Sequence, residues 1–401
     1  MPSSLFALKQ ENHPYLFCDD ALIAFAVYPH HKLDLLSGEK KSYTPFEFQN
    51  VLDGHLLNDE FEQAHVIHLT YEWGYFQKNK EIFNSLNEET LLAVYLVYQS
   101  SSFISLDKVE LDLSLEDLSS PTLSEYQKSF LKGMKSLLDG ECYQFNLAFA
   151  YNFKINNKSK LKLTDKRLRQ HFFRSEDSLS AFAHSTSLPL LDQHILSNSP
   201  ECLFQLKSSA KGSHLWSMPI KGTRAWNPKK DLKEQFKALR SDRKERAELD
   251  MITDLLRHDL ASIEGPPANI LKRACPLRVP GLIHQYSVID TNLSTNVRIG
   301  CLVKALFPGG SITGAPKKRV MSLLSQIEPE CRGHYCGSTL LFYKEKKLAS
   351  INIRTAVVNL SSSKLYYYAG GGITLLSKYR DEFREMADKV KSFKTIFTSK
   401  N

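Results

Sequence analysis

The chain has 401 residues, of which 42% are hydrophobic, and this is enough for a large core in one or two domains. The formal net charge is +8, but basic and acidic residues alternate, as in NPKKDLKEQFKALRSDRKER at 227–246. Such alternation is typical of a solvated helix face and argues against a nucleic-acid partner. The positive field would still help to attract a small anionic substrate.

Targeting and redox signals point to the cytoplasm. The N-terminus lacks a basic segment followed by an apolar run, and the longest uncharged run, 90–106, is too short and too mixed to span a membrane. The seven cysteines are scattered and form no CxxC pair. We therefore expect reduced thiols in a cytoplasmic protein with no membrane association, and neither disulfides nor structural zinc.

Residues 1–115 form the first of two predicted regions. The runs ALIAFAVY (21–28) and AHVIHLTY (64–71) are typical of strands, whereas EETLLAVYLVY (88–98) favours a helix. The polar, acidic segment at 105–124 is interpreted as a connection.

Residues 124–397 form the second predicted region. It begins with a helical pattern that stops at Gly140, and a strand, CYQFNLAFAYNFKI, follows at 142–155. Near the C-terminus three strand-like runs, STLLFY, LASINIRTAVV and KLYYYAGGGI, are joined by the short segments KEKK and NLSSS. Connections this short require antiparallel pairing. The sequence therefore predicts an α+β fold with large antiparallel sheets.

Carboxylates occur on the apolar face of a predicted helix at 241–262. The apolar stripe consists of Leu249, Ile252, Leu255 and Leu256. Glu245, Glu248 and Asp259 project within that stripe. Buried carboxylates need a cationic partner, a proton or a metal, so ion pairing and a functional site both remain open.

The predicted last helix, 380–397, repeats this pattern. Its apolar stripe is edged by Glu382, Glu385 and Lys389 at helical spacing. Two helices thus bring glutamates to the margin of a core. Oxygen ligands of this kind suit Mg²⁺, which binds through one or two carboxylates together with water and an anionic substrate.

Two glycine-rich segments could approach a ligand. FPGGSITGAPKKR (307–319) predicts a loop running into a helix, but Gly314 is followed by APKK, which excludes a nucleotide-binding phosphate loop. AGGGI (369–373) ends a strand with three glycines, whose backbone could bind a carboxylate or simply form a bulge.

In INIRT (351–355), Asn352 and Arg354 are predicted to share one strand face. The arginine could clamp a carboxylate or serve only as a surface charge of the sheet. A further lysine stands out in SMPIKGTR (217–224), where Lys221 lies between an apolar run and a predicted turn.

These motifs together resemble a known family. FPGGSITGAPKKR, SPE (199–201), PIKGT (219–223), DLLRHDL (254–260), INIRT and AGGGI occur in the order seen in chorismate-utilising enzymes. Within that family the chain resembles component I of aminodeoxychorismate synthase, the para-aminobenzoate branch. The resemblance covers roughly residue 124 to the C-terminus. It implies a large antiparallel β-sandwich flanked by helices, the fold of anthranilate synthase component I.

The resemblance also implies a reaction. Chorismate and ammonia would give 4-amino-4-deoxychorismate, a precursor of para-aminobenzoate and folate. Lys221, which is typically alanine in the related branches, would attack C2 of chorismate as a neutral amine, so its pKa must be lowered by burial or by nearby cations. Glu201 would protonate the departing C4 hydroxyl and needs a raised pKa.

The remaining site residues follow from the same resemblance. Mg²⁺ would be held by Glu248 and Glu385, with Glu245 and Glu382 behind them. The substrate-binding residues implied by the motifs are Gly222, Thr223, His284, Arg354, Gly371, Gly372 and Lys389. No glutaminase signature is present, so ammonia would come from a separate glutamine amidotransferase subunit, component II, or from solution. The alternatives are anthranilate synthase component I and a catalytically weak chorismate-binding protein.

Overall fold

The computed structural model describes residues 1–8, 14–263, 268–279, 282–395 and 397. Twenty strands form the sheet: β1 Ser3–Ala7, β2 Tyr15–Val27, β3 His31–Asp34, β4 Lys40–Ser42, β5 Ala64–Leu69, β6 Ala93–Ile104, β7 Leu113–Ser119, β8 Gln144–Asn157, β9 Phe182–Leu188, β10 Gln193–Ser199, β11 Cys202–Ser209, β12 Gly212–Met218, β13 Ile220–Ala225, β14 Asn269–Val279, β15 Leu282–Leu293, β16 Gly314–Ala315, β17 Ser338–Tyr343, β18 Lys346–Ile351, β19 Thr355–Asn359 and β20 Lys364–Ile373.

Eleven α-helices accompany these strands in the same described ranges: α1 Pro45–Asp53, α2 Trp73–Lys78, α3 Lys80–Asn84, α4 Leu123–Leu138, α5 Asp165–Phe172, α6 Leu232–Ser241, α7 Arg243–Ala261, α8 Ile299–Leu306, α9 Gly310–Thr313, α10 Lys317–Ile327 and α11 Tyr379–Lys394. Within those ranges no helix has the length and apolar character needed to cross a membrane.

All strand pairings in the sheet are antiparallel. From one end, neighbouring strands follow the order β7, β8, β20, β19, β10, β9, β1, β2, β6, β5, β17, β18, β11, β12 and β15. Both β13 and β14 then pair with β15. The predicted α+β class, a large antiparallel sheet with flanking helices, is confirmed.

The sheet folds back on itself into two facing layers. The hydroxyl of Thr339 on β17 lies 3.0 Å from His184 Nε2 on β9, although four strands, β1, β2, β6 and β5, lie between them along the sheet. Alternate residues therefore contribute to two apolar clusters, so that Phe6 faces one and Leu5 the other. The larger cluster also receives the apolar faces of α4, α10 and α11.

The region 1–115 does not form a separate sheet. Its β1 pairs with β9, and its β5 pairs with β17, so its strands lie in the middle of the common sheet. The domain division at 1–115 and 124–397, with the role expected for each region, stays a prediction.

Two elements differ from the expectations. The run at 88–98, expected to be helical, supplies β6 instead, because it pairs on both sides with β2 and β5 and is buried on both faces, so that it lacks strand-like alternation. The expected connection at 105–124 contains β7, which pairs with β8. In both cases pairing with strands distant in sequence overrides the local pattern.

Candidate active site

A cavity enclosing about 970 Å³ of empty space, part of it open to solvent, lies between β8, β13, β20, α7, α11 and the segment before β16. Twelve of the predicted site residues line it: Glu201, Lys221, Gly222, Glu245, Glu248, His284, Arg354, Gly371, Gly372, Glu382, Glu385 and Lys389. The side chain of Thr223, the remaining predicted residue, lies outside the described part of the chain. Residues separated by nearly 190 positions thus meet in one place.

Lys221 reaches the cavity from a bulged strand. On β13 the pairing with β15 shifts between Lys221 and Thr223, and Gly222 between them has φ +81°. A side chain at Gly222 would also have its Cβ 2.9 Å from Gln285 Nε2. Only glycine fits this combination of a positive φ and a close neighbour, so the bulge requires the glycine of the PIKGT motif.

Glu201 is a buried carboxyl beside Lys221. It is 3% exposed, and this burial raises its pKa to about 7, against smaller opposing effects of the Ser311 hydroxyl, the Lys221 charge and the Ile220 backbone. Among the described residues, its Oε1 atom has no hydrogen-bond partner. The expected rise in the pKa of Glu201 is confirmed, and a carboxyl of this kind is substantially protonated near neutral pH.

Four glutamates from two helices face the cavity. Glu248 on α7 and Glu382 on α11 are 7% and 6% exposed, and Glu245 and Glu385 are half-buried. Lys389 lies 2.8 Å from Glu385. Several buried carboxylates in one cavity are costly without a cation.

This donor set fits Mg²⁺ chemically. It offers hard carboxylate oxygens beside open space for water and an anion. Across the described ranges, no three or more His, Cys, Asp or Glu residues converge into a metal cluster. The arrangement therefore fits an ion bound through one or two carboxylates and not one enclosed by protein ligands alone.

Asp259, the other carboxylate in the apolar stripe of α7, has a different environment. It lies 2.6 Å from Lys317 Nζ and does not line this cavity. Of the two possibilities that the sequence left open, ion pairing applies to Asp259.

Arg354 enters the cavity because the strand breaks there. β18 ends at Ile351 and β19 begins at Thr355, and Arg354 has φ +55°. Asn352 is instead fully buried and bonded to Thr339 and Ser350. The expectation that Asn352 and Arg354 share a strand face is therefore wrong. Left-handed backbone is unfavourable for arginine and is maintained only by its surroundings.

Cationic groups surround a buried histidine at the same end of the cavity. His284 is 6% exposed, and burial together with the charges of Arg354 and Lys389 lowers its pKa to about 3. It is therefore neutral, and its Nδ1 lies 3.3 Å from the Gly222 carbonyl oxygen. Lys389 Nζ donates to the Gly370 carbonyl at 2.8 Å. Two cations beside glycine backbone can bind carboxylates.

Several cavity residues are absent from the predicted site residues, although some of them lie within the quoted segments. These are chiefly Asn146, Ser311, Tyr335, Tyr367 and Tyr368. Asn146 was detectable as a polar residue within the apolar run FNLAFA, and beside it Gln144 is fully buried with neither amide atom hydrogen-bonded among the described residues. The tyrosines gave no signal because strands are commonly rich in tyrosine.

Known proteins share this sequence pattern and architecture. A protein family described as chorismate binding enzyme matches residues 43–395. Aminodeoxychorismate synthase component 1 of Salmonella typhimurium is 35% identical over 278 residues, 68% of this chain and 57% of that protein. Anthranilate synthase component 1 3 of Haloarcula marismortui is 35% identical over 204 residues, 50% of this chain and 39% of that protein.

A solved structure supports the fold. Anthranilate synthase component I from Streptococcus pneumoniae superposes with a TM-score of 0.72 at 19% identity, covering 94% of this chain and 91% of that one. By sequence, the chain spans little more than half the length of the curated aminodeoxychorismate synthase component 1 that it matches.

Proposed function

Since the chain belongs to the chorismate binding enzyme family, we propose that it makes 4-amino-4-deoxychorismate from chorismate and ammonia, as component I of an aminodeoxychorismate synthase. The observation that carries the proposal is that the Lys221 amine and the Glu201 carboxyl, with its raised pKa, line one cavity. A nucleophile and a proton donor are the two groups that displacement of a hydroxyl requires.

The two residues divide the chemistry between them. The neutral amine of Lys221 forms a bond to C2, the ring double bonds shift, and the C4 hydroxyl leaves as water with a proton from Glu201. The Glu201 carboxylate can then accept the proton that the attached amine loses. Ammonia adds at C4, the double bonds shift back, and Lys221 departs from C2 as the amine with a proton from Glu201. The resulting Glu201 carboxylate accepts the proton that the new ammonium group at C4 loses. Atoms and charge balance over the sequence.

The cavity wall supplies binding groups for a dianionic substrate. Arg354, Lys389 and the backbone of Gly371 and Gly372 would hold carboxylates of chorismate, with Thr223 and His284 beside them. Glu248 and Glu385 would hold Mg²⁺, supported by Glu245 and Glu382. When bound, the ion would neutralise and orient the ring carboxylate.

Ammonia would come from a second protein. The relative from Salmonella typhimurium is named component 1, and this chain shows no glutaminase signature. We therefore expect a glutamine amidotransferase subunit as partner, and expect the isolated chain to use ammonium salts.

Anthranilate synthesis is the second candidate, because an anthranilate synthase component 1 is also 35% identical to half of this chain. Lys221 favours the first candidate, since an amine at this position provides the covalent route to C4.

Product identification tests the proposal. The purified chain is incubated with chorismate, ammonium and Mg²⁺, and products are separated by liquid chromatography and mass spectrometry. We expect 4-amino-4-deoxychorismate. Anthranilate would support the second candidate, and chorismate binding without turnover would refute both. Glutamine in place of ammonium should give no product.

A further inference from the structure

Asn146 connects the two proposed reacting residues, although no sequence motif singles it out. It lies on β8 opposite Gly372 of β20 and is 8% exposed. Its Nδ2 donates a hydrogen bond of 2.5 Å to the Ser311 carbonyl, and its Oδ1 accepts one of 3.3 Å from Lys221 Nζ. Burial raises the pKa of the Glu201 carboxyl, and the hydroxyl of the same Ser311 lies close enough to Glu201 to oppose this rise.

The chemistry of these neighbours determines which way the amide faces. A backbone carbonyl only accepts hydrogen bonds, so the NH₂ group of Asn146 must face Ser311. The amide oxygen must then face Lys221. A leucine or aspartate of similar size could not satisfy both neighbours, because the first has no polar atoms and an ionised aspartate cannot donate to the carbonyl.

A buried ion pair holds the backbone around Asn146. Arg332 and Glu328 are 2.7 Å apart, with side chains 2% and 6% exposed. Arg332 donates to the carbonyls of Asn146 and Ile312, at 2.7 and 2.9 Å, and Glu328 accepts from the Ala148 amide at 2.9 Å. The ion pair thus makes the backbone hydrogen bonds at Asn146 and Ala148 that a neighbouring strand would otherwise make at this edge of β8. Through Ile312 it also joins β8 to the segment that carries Ser311.

We propose that Asn146 is a positioning residue that aims the Lys221 amine at the substrate, an inference that rests on the proposed function. When one N–H bond of the neutral amine points to Oδ1, the lone pair points away from Asn146 and is free to attack. Without this acceptor the amine would turn to the neighbouring Glu201 carboxylate. That contact would occupy the nucleophile and the acid together.

A double-mutant cycle tests this inference. Asn146→Ala should lower kcat about 10- to 100-fold, the effect of losing a hydrogen bond to an ionisable group, while KM for chorismate changes less than about threefold. In a Lys221→Ala background the same substitution should have no further effect, because no amine remains to be positioned. Asn152→Ala is the matched control, since Asn152 lies on the same strand and bonds Ser119 at 2.8 Å outside the cavity.

Three results would overturn the inference: an equal loss in the Lys221→Ala background, a loss confined to KM, or a loss that only follows the melting temperature. A wild-type chain that forms no product would instead refute the proposed function. In that event the role of Asn146 can still be tested without turnover. The rate of reductive methylation of Lys221 is measured by peptide mass spectrometry and compared with the rate for exposed lysines in the same chain. Asn146→Ala should slow the methylation of Lys221, and an unchanged rate would reject the role.

Discussion

Replacing Glu201 by glutamine should have opposite effects on activity and on stability. The carboxyl has a pKa of about 7 in the folded chain, because it is buried, against an ordinary value of 4.5. The folded state therefore holds this proton more tightly than the unfolded state. The contribution of this carboxyl to the free energy of unfolding is fully present below pH 4.5 and is lost as the pH rises towards and through 7. The difference corresponds to about 3 kcal/mol at about pH 8.

Glutamine has nearly the same shape but carries no charge, so Glu201→Gln should avoid this loss. We expect the variant to be more stable than the wild type by up to about 3 kcal/mol at about pH 8 and equally stable at about pH 4. Urea unfolding at both pH values measures this difference. If Glu201 is the proton donor, as proposed, turnover with ammonium should fall about 10²- to 10⁴-fold in this variant.

A matched control distinguishes the effect of removing a buried carboxyl from the effect of removing any one negative charge. Glu62 is exposed, so Glu62→Gln should change neither stability nor turnover. Identical stability of the Glu201 variant and the wild type at about pH 8 would refute the buried, proton-binding carboxyl. A stabilised variant with full turnover would leave the burial argument intact but remove Glu201 from the chemistry.

The other predictions concern the nucleophile, the metal and the glycine backbone. Lys221→Ala and Lys221→Arg should both lose most turnover, because alanine has no amine and the guanidinium of arginine stays protonated. Both variants should also lack the covalent adduct that mass spectrometry should detect in the wild type when ammonia is withheld. Substantial activity in the arginine variant, with no adduct in the wild type, would contradict the nucleophile role. Glu248→Ala and Glu385→Ala should abolish turnover at moderate Mg²⁺ concentrations, and full activity of either variant in a chelator would contradict the metal assignment. Gly372→Ala should lower turnover more than Gly371→Ala, because a Cβ at Gly372 would lie 2.3 Å from Gln144 Nε2 and 3.2 Å from Lys221 Nζ and would displace both side-chain ends, whereas a Cβ at Gly371 has contacts of 3.6 Å or more. Equal activity of the two variants would contradict the geometry.

Local patterns in the sequence were informative where a residue's role depends on near neighbours. The helices α4, α7, α10 and α11 follow from apolar spacing, and the carboxylates on the apolar face of α7 indicated either ion pairing or a functional site. The pattern could not separate Glu248 from Asp259, because both lie in the same stripe. What separates them is Lys317, a residue from another helix, which pairs with Asp259.

The sequence by itself thus determined the fold class, through short connections between strand-like runs, and the types of residue that the site contains. Only the tertiary structure decided that the run at 88–98 contributes to strand β6 and not to a helix. It also decided that the chain breaks between β18 and β19 and turns Arg354 into the cavity, and that Asn146 lies between Lys221 and Ser311. The physical reason is that these features depend on partners more than about fifty residues away, such as β2 for β6 and β13 for Asn146. Periodicity reports which face of an element is apolar, whereas contacts between distant elements determine what that face meets.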